Sequence, residues 1–79
     1  MNKVVIYSTP TCHFCHVAKD FFKEHKVEFV EFDVSSDLIK RNEMIEKSGQ
    51  RGVPVMIIKD EIVVGFNESE MIDLLGITI

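Results

Sequence analysis

Two cysteines stand two residues apart in the run Tyr7-Ser8-Thr9-Pro10-Thr11-Cys12-His13-Phe14-Cys15-His16, and the chain has no others. A short apolar strand, Lys3 to Ser8, is predicted to run into them and an amphipathic helix to run out. Val4-Val5-Ile6 is an aliphatic run without polar alternation, the pattern of a central strand buried on both faces. Pro10 cannot donate to a ladder, so the strand ends before it. Beyond it, Phe14, Val17, Ala18, Phe21 and Phe22 recur at helical spacing, which favours Phe14 in the packed stripe over its other reading, a hydrophobic lip beside the sulfurs. His16, Lys19, Asp20, Lys23 and Glu24 fall on the opposite, solvated face.

Such a junction suits thiol chemistry. The thiolate, not the thiol, attacks a disulfide. With Cys12 capping the helix, its sulfur would face unpaired backbone N–H groups and the positive end of the helix dipole, both of which favour the anion. Cys15, one turn further in, is placed to resolve the mixed disulfide that Cys12 forms. His13 would add positive charge near Cys12 when protonated; as helix residues, His13 and His16 otherwise read as solvated.

Other readings of the motif are weaker. With His16 the run spells C-x-x-C-H, the pattern of covalent haem attachment, which needs export and a helical haem pocket. Zinc usually takes two separated ligand pairs, and only His25 lies outside this run. Both cysteines could also pack as inert core residues.

The chain has 79 residues, enough for one small domain (residues 1–79) with a modest core. Its 46% apolar content is that of a globular fold. A net charge of −4 argues against nucleic acid as a general partner. No apolar run approaches a membrane span, and the first residues are too short for a signal peptide. Two cysteines two residues apart cannot staple distant segments, so a reducing compartment is expected. The lack of a targeting segment points to the cytoplasm, and the protein is expected to be a monomer.

Downstream, Val27 to Val34 reads as a second strand, with Glu28, Glu31 and Asp33 interrupting its alternation. Ser35-Ser36-Asp37 offers caps and a first-turn acid for a helix through Leu38, Ile39, Met44 and Ile45, stopped at Ser48-Gly49. Lys40, Arg41, Glu43, Glu46 and Lys47 form its solvated face. Val55-Met56-Ile57-Ile58 and Ile62-Val63-Val64 read as a hairpin that lacks the usual Asn-Gly or Asp-Gly turn. Asn67 with Glu70 opens a last helix, carried by Met71, Ile72, Leu74 and Leu75 and ended by Gly76. The order β-α-β-α-β-β-α predicts an α/β fold: a four-stranded mixed sheet with helices on both faces.

Across essentially all of its length the chain resembles the glutaredoxins, on the minimal thioredoxin fold. The resemblance rests on Tyr7-Ser8 followed by Thr11 to His16, on Glu43 to Gly49, on Val53-Pro54 before the third strand, and on Gly65 before the last helix. It implies a thiol-disulfide oxidoreductase with Cys12 and Cys15 as catalytic residues and no permanently bound cofactor or metal. Protein disulfides would be the substrates and glutathione the co-substrate. It also implies a cis Pro54 facing the cysteines, with the backbone of Val53 pairing with substrate. Thr9, Phe14, Arg51, Val53, Pro54, Gly65, Phe66 and Asn67 would form the substrate or glutathione groove.

The departures bear on the electron donor. His13-Phe14 replaces the usual Pro-Tyr, and Gly52 replaces the Thr of Thr-Val-Pro. Thr9 stands where many glutaredoxins carry a lysine for a glutathione carboxylate. Arg51 is either its substitute or an ordinary surface arginine. The glutamyl end would meet Asn67 and Glu68 at a helix N-terminus. Pro54-Val55 and Gly65-Phe66 resemble the NrdH-redoxins, which are reduced by thioredoxin reductase, although the tryptophan of that group is absent. A third possibility, from a different class, is an iron–sulfur carrier bridging a cluster between two subunits.

Overall fold

The computed structural model describes residues 4–76, so Lys3, named above as the start of the first strand, lies outside the described residues. The elements are β1 (Val4–Ser8), α1 (His13–Glu24), β2 (Phe29–Asp33), α2 (Leu38–Ser48), β3 (Val55–Ile58), β4 (Glu61–Val64) and α3 (Glu68–Leu75). Their order is the expected one. The sheet runs β2-β1-β3-β4. β1 and β2 are parallel, and β1–β3 and β3–β4 are antiparallel.

The aliphatic run of β1 is buried because both sheet faces are covered. Val4 and Ile6 join Met56 and Ile58 of β3, Ala18, Phe21 and Phe22 of α1, and Met71 of α3. Tyr7 joins Val34, Met44 of α2 and Val55 on the other face, where Val5 also packs. Phe22 reaches Phe29 at 5.5 Å between centroids and Phe21 at 6.1 Å, which closes the first core with aromatic edges. Truncating Phe22 to Ala would cost about 3–5 kcal/mol, a large share of the roughly 5–15 kcal/mol that holds a small domain together.

The helix ends follow local rules. Asn67 caps α3 by accepting from the Glu70 amide at 3.2 Å, and Gly49 and Gly76 close α2 and α3 in the left-handed conformation. Asp37 is itself the N-cap of α2, not a first-turn acid; its carboxylate accepts from the Lys40 amide at 3.0 Å. Ser35 instead turns to the Asp33 carboxylate.

Three expectations are corrected by tertiary contacts. Leu38 and Ile39 begin α2 beyond the edge of the core and are exposed, so Met44 and Ile45 carry its buried face. The charged face of α2 is only partly solvated. Glu43 accepts from the Tyr7 hydroxyl at 3.1 Å and from Lys40 and Lys47 at 3.0 Å each, and the Lys40 ammonium lies 4.3 Å over the Phe32 ring. Finally, β2 is shorter than its β-branched run, because Val27 and Glu28 precede the register that starts at Val4–Phe29.

Candidate active site

β1 and β2 are parallel, so Ser8 and Asp33 end side by side. β3 runs the other way and places Val55 opposite Tyr7 and Val64, which puts Pro54 and Gly65 at the same end of the sheet. The Gly65 amide donates to the Pro54 carbonyl at 2.9 Å. Four connections thus converge where α1 begins.

The turn into α1 is tight: the Cys12 amide donates to the Thr9 carbonyl at 3.2 Å. Cys12 is the N-cap, in extended conformation (φ −83°, ψ 114°), and its carbonyl accepts from the His16 amide at 3.3 Å. Its sulfur accepts from the Cys15 amide at 3.2 Å. No acid occupies the first turn of α1, so no carboxylate competes with the sulfur for those amides. The His16 ring reaches the Pro10 carbonyl at 2.7 Å and ties the loop to the helix.

The two thiols sit in different surroundings. Cys12 is partly exposed; Cys15 is fully buried. Burial pushes the Cys15 thiol up to about 12, helped by the hydrogen bond with Cys12 and by its charge; a backbone hydrogen bond of Thr9 and the Lys19 ammonium act the other way. The two sulfurs therefore differ in access: one meets solvent, and the other is enclosed by the core.

The Val53–Pro54 peptide bond is cis, as the resemblance implied, and Pro54 is buried. Thr9, Val53, Pro54 and Gly65 lie with the cysteines at this end of the sheet. Gly65 has φ +79° with open space at its Cβ position, so the backbone angle alone calls for glycine there. Phe14 is not in the packed stripe. It is 57% exposed, its ring edge-on to His13 at 5.3 Å, while Cys15 in the same turn faces inward. That leaves it an exposed apolar side chain in the first turn of α1.

The other groove candidates are further out. Phe66 is spent on the core edge, edge-to-face with Phe21 at 5.7 Å. The side-chain oxygen of Asn67 is taken up in capping α3. Arg51 is exposed and makes no ion pair among the described residues.

A cluster that the sequence reading passed over lies behind Cys15. Lys19 pairs with Glu31 at 2.7 Å, and the same carboxylate oxygen accepts from the buried Ser8 hydroxyl at 2.6 Å. Lys19 therefore does not belong to a solvated face. The available signal was Glu31, a charge interrupting the apolar alternation of β2.

A family profile for Glutaredoxin matches residues 4–63. The chain belongs to the glutaredoxin family. It is 44% identical over 86% of its length to the glutaredoxin-like 8.6 kDa protein of the rubredoxin operon of Clostridium pasteurianum, covering 91% of that protein. It is 34% identical to glutaredoxin 3 of Escherichia coli K12, over 96% of this chain and 92% of that one. Among solved structures, a point mutant of the thioredoxin-like protein BC3987 superposes with a TM-score of 0.90 at 33% identity, covering 99% of this chain and 100% of that one. The glutaredoxin of Archaeoglobus fulgidus gives 0.84 at 26% identity over 95% and 87% of the two chains. As a glutaredoxin the protein is a thiol-disulfide oxidoreductase, and Cys12 and Cys15 are both free thiols. Among the described residues, no group of three or more His, Cys, Asp or Glu side chains is placed to hold a metal ion, and no helix is long and apolar enough to cross a membrane.

Proposed function

We propose that the protein reduces protein disulfides and glutathione mixed disulfides by a dithiol mechanism. The Cys12 thiolate attacks one sulfur of the substrate disulfide, forms a mixed disulfide and expels the first thiol. Cys15 then loses its proton and attacks the Cys12 sulfur. The second thiol leaves, and a Cys12–Cys15 disulfide remains. The observation that carries this reading is the division between a partly exposed N-cap sulfur and a buried thiol one turn inside the helix. Phe14, Val53, Pro54 and Gly65 line the approach, with the Val53 backbone pairing with an extended substrate. Thr9, Arg51, Phe66 and Asn67 stand at its margin. The protein works as a cytoplasmic monomer without a bound cofactor.

The test is turnover of a glutathionylated peptide by three proteins. Cys12→Ser should be inactive. Cys15→Ser should either accumulate the mixed disulfide or turn over only with a second glutathione. Full activity in Cys12→Ser would sink the mechanism.

The donor has a second reading. Thr9 offers no cation for a glutathione carboxylate, and the first turn of α3 already carries Glu68 and Glu70, which repel one. Both features favour reduction by a flavoprotein of the thioredoxin reductase type. Supplying glutathione with glutathione reductase, or thioredoxin reductase with NADPH, to the oxidised protein separates the two. Fast reduction by the first system would assign Arg51 as the carboxylate partner; reduction only by the second would remove the glutathione contacts.

A further inference from the structure

Resolution requires Cys15, a fully buried thiol, to ionise while Cys12 is tied up in the mixed disulfide. With Cys12 free, burial and the neighbouring Cys12 push that thiol up to about 12, so ionisation is disfavoured. Once Cys12 is bonded to substrate, its charge no longer opposes that ionisation. Burial remains against it, and a side-chain charge that favours it comes from Lys19.

The geometry gives that charge a fixed place. Lys19 lies four residues after Cys15 on α1, one turn on and on the same face, and helical side chains lean back toward the N-terminus. Its side chain is only 15% exposed. Glu31 holds the ammonium at 2.7 Å from the adjacent strand. Ser8, fully buried, holds the same carboxylate oxygen at 2.6 Å. Ser8 immediately precedes Thr9, whose backbone contacts Cys15. Ile6 faces Glu31 across the parallel pair, and Ser8 follows Ile6 on the face that α1 covers. Glu31 itself is exposed on the edge strand, so the ion pair joins the solvent side of β2 to α1.

These groups also line a cleft of about 320 Å³ that opens to solvent. The charged and titratable groups gathered in it are His16 and Lys19 from α1 and Glu31 and Asp33 from β2. Asp33 is turned to the Ser35 amide and hydroxyl, His16 to the Pro10 carbonyl and Lys19 to Glu31; of these groups it is Lys19 whose charge favours the Cys15 thiolate.

We propose that Lys19, clamped by Glu31 and Ser8, is a positioning residue for the second thiol step, in which it stabilises the Cys15 thiolate as it attacks the mixed disulfide. The Cys15 proton passes to solvent water as the thiolate forms. The Cys15 sulfur bonds to that of Cys12, and the Cys12–substrate S–S bond breaks. The departing thiolate takes a proton from solvent, so the dithiol has given up two electrons and the substrate has gained them. The proposal rests on the dithiol reading above.

The test uses the full chain, loaded at Cys12 with glutathione, and follows intramolecular glutathione release by acid quench and mass spectrometry across pH. Lys19→Gln should slow release about tenfold at pH 7 and move the midpoint of its pH profile up by about one pH unit. Lys19→Arg, which keeps the charge, should recover most of the rate. Lys19→Gln and Cys15→Ser should be non-additive in glutathione-driven turnover, because Lys19 acts through Cys15. Three results would overturn the proposal: an unmoved pH profile in Lys19→Gln, failure of Lys19→Arg to rescue, or an equal loss with Cys15 absent. The last two would make the lysine a clip between α1 and β2. If the unsubstituted protein releases no glutathione intramolecularly, the dithiol reading itself fails, and the role of Lys19 with it.

Discussion

The amide of Cys15 donates to the sulfur of Cys12 at 3.2 Å, so the residue that carries the second thiol also holds the first. The pair is asymmetric by construction. One sulfur sits at a helix end facing solvent, and the other is sealed beneath it.

That asymmetry predicts selective labelling. Iodoacetamide at pH 7 should modify Cys12 alone in the folded, reduced protein, because Cys15 is buried and its thiol is pushed up to about 12. Cys15 should react only in denaturant. Peptide mass spectrometry after brief labelling reads this directly, and comparable modification of both cysteines in the folded state would contradict it.

The Tyr7–Glu43 contact predicts two limbs in the pH dependence of stability. Lys40 and then Lys47, with the Tyr7 hydroxyl, hold the Glu43 carboxyl down from 4.5 to about 2. A lowered carboxylate contributes stability above its unfolded value and loses it as pH falls, here between about 4.5 and 2. Tyr7 is raised from 10.0 to about 12, by burial first and Glu43 second, so its contribution is present below 10 and fades toward 12. Screening at the partly exposed Glu43 keeps the acid limb to about 1 kcal/mol or less. Tyr7→Phe should cost about 1 kcal/mol near neutrality and flatten the alkaline limb. Urea titrations at a series of pH values test both.

The β3–β4 turn predicts an easy gain. Lys59 and Asp60 both sit in the left-handed region, at φ 50° and 66°, as a two-residue hairpin turn requires. Lys59→Asn together with Asp60→Gly should raise stability by about 0.5–1 kcal/mol, since neither new residue resists that backbone as lysine does. An unchanged denaturation midpoint would show that the turn limits nothing.

Phe14→Ala separates a lip from a core residue. With the ring 57% exposed, truncation should change stability by about 0.5 kcal/mol or less. It should raise KM for a peptide disulfide and leave the rate of Cys12 alkylation unchanged. A loss of several kcal/mol would return Phe14 to the core.

Much of the architecture was legible because it is local. Strand and helix periods, the Asn67 cap, the glycine stops and the thiol pair at a strand end each depend on neighbours within a few residues. Two apolar residues assigned to packed stripes are exposed. Phe14 and Leu38 keep the right period and sit in the first turns of their helices, yet both are exposed, although Cys15 beside Phe14 is buried. Periodicity reports which face a residue occupies, not whether anything covers that face.

Taken alone, the sequence determined the order of elements, the sheet's central strand and the thiol chemistry, through hydrophobic spacing and the Cys12–Cys15 interval. Tertiary structure alone decided that Glu31 reaches Ser8 and Lys19, and that Glu43 reaches Tyr7. These pairs are 23, 12 and 36 residues apart. No short-range rule links such residues. They meet because parallel pairing fixes the register of β2 on β1 and because α1 and α2 cross opposite faces of the sheet, and partners fixed by that register are set only when the chain closes on itself.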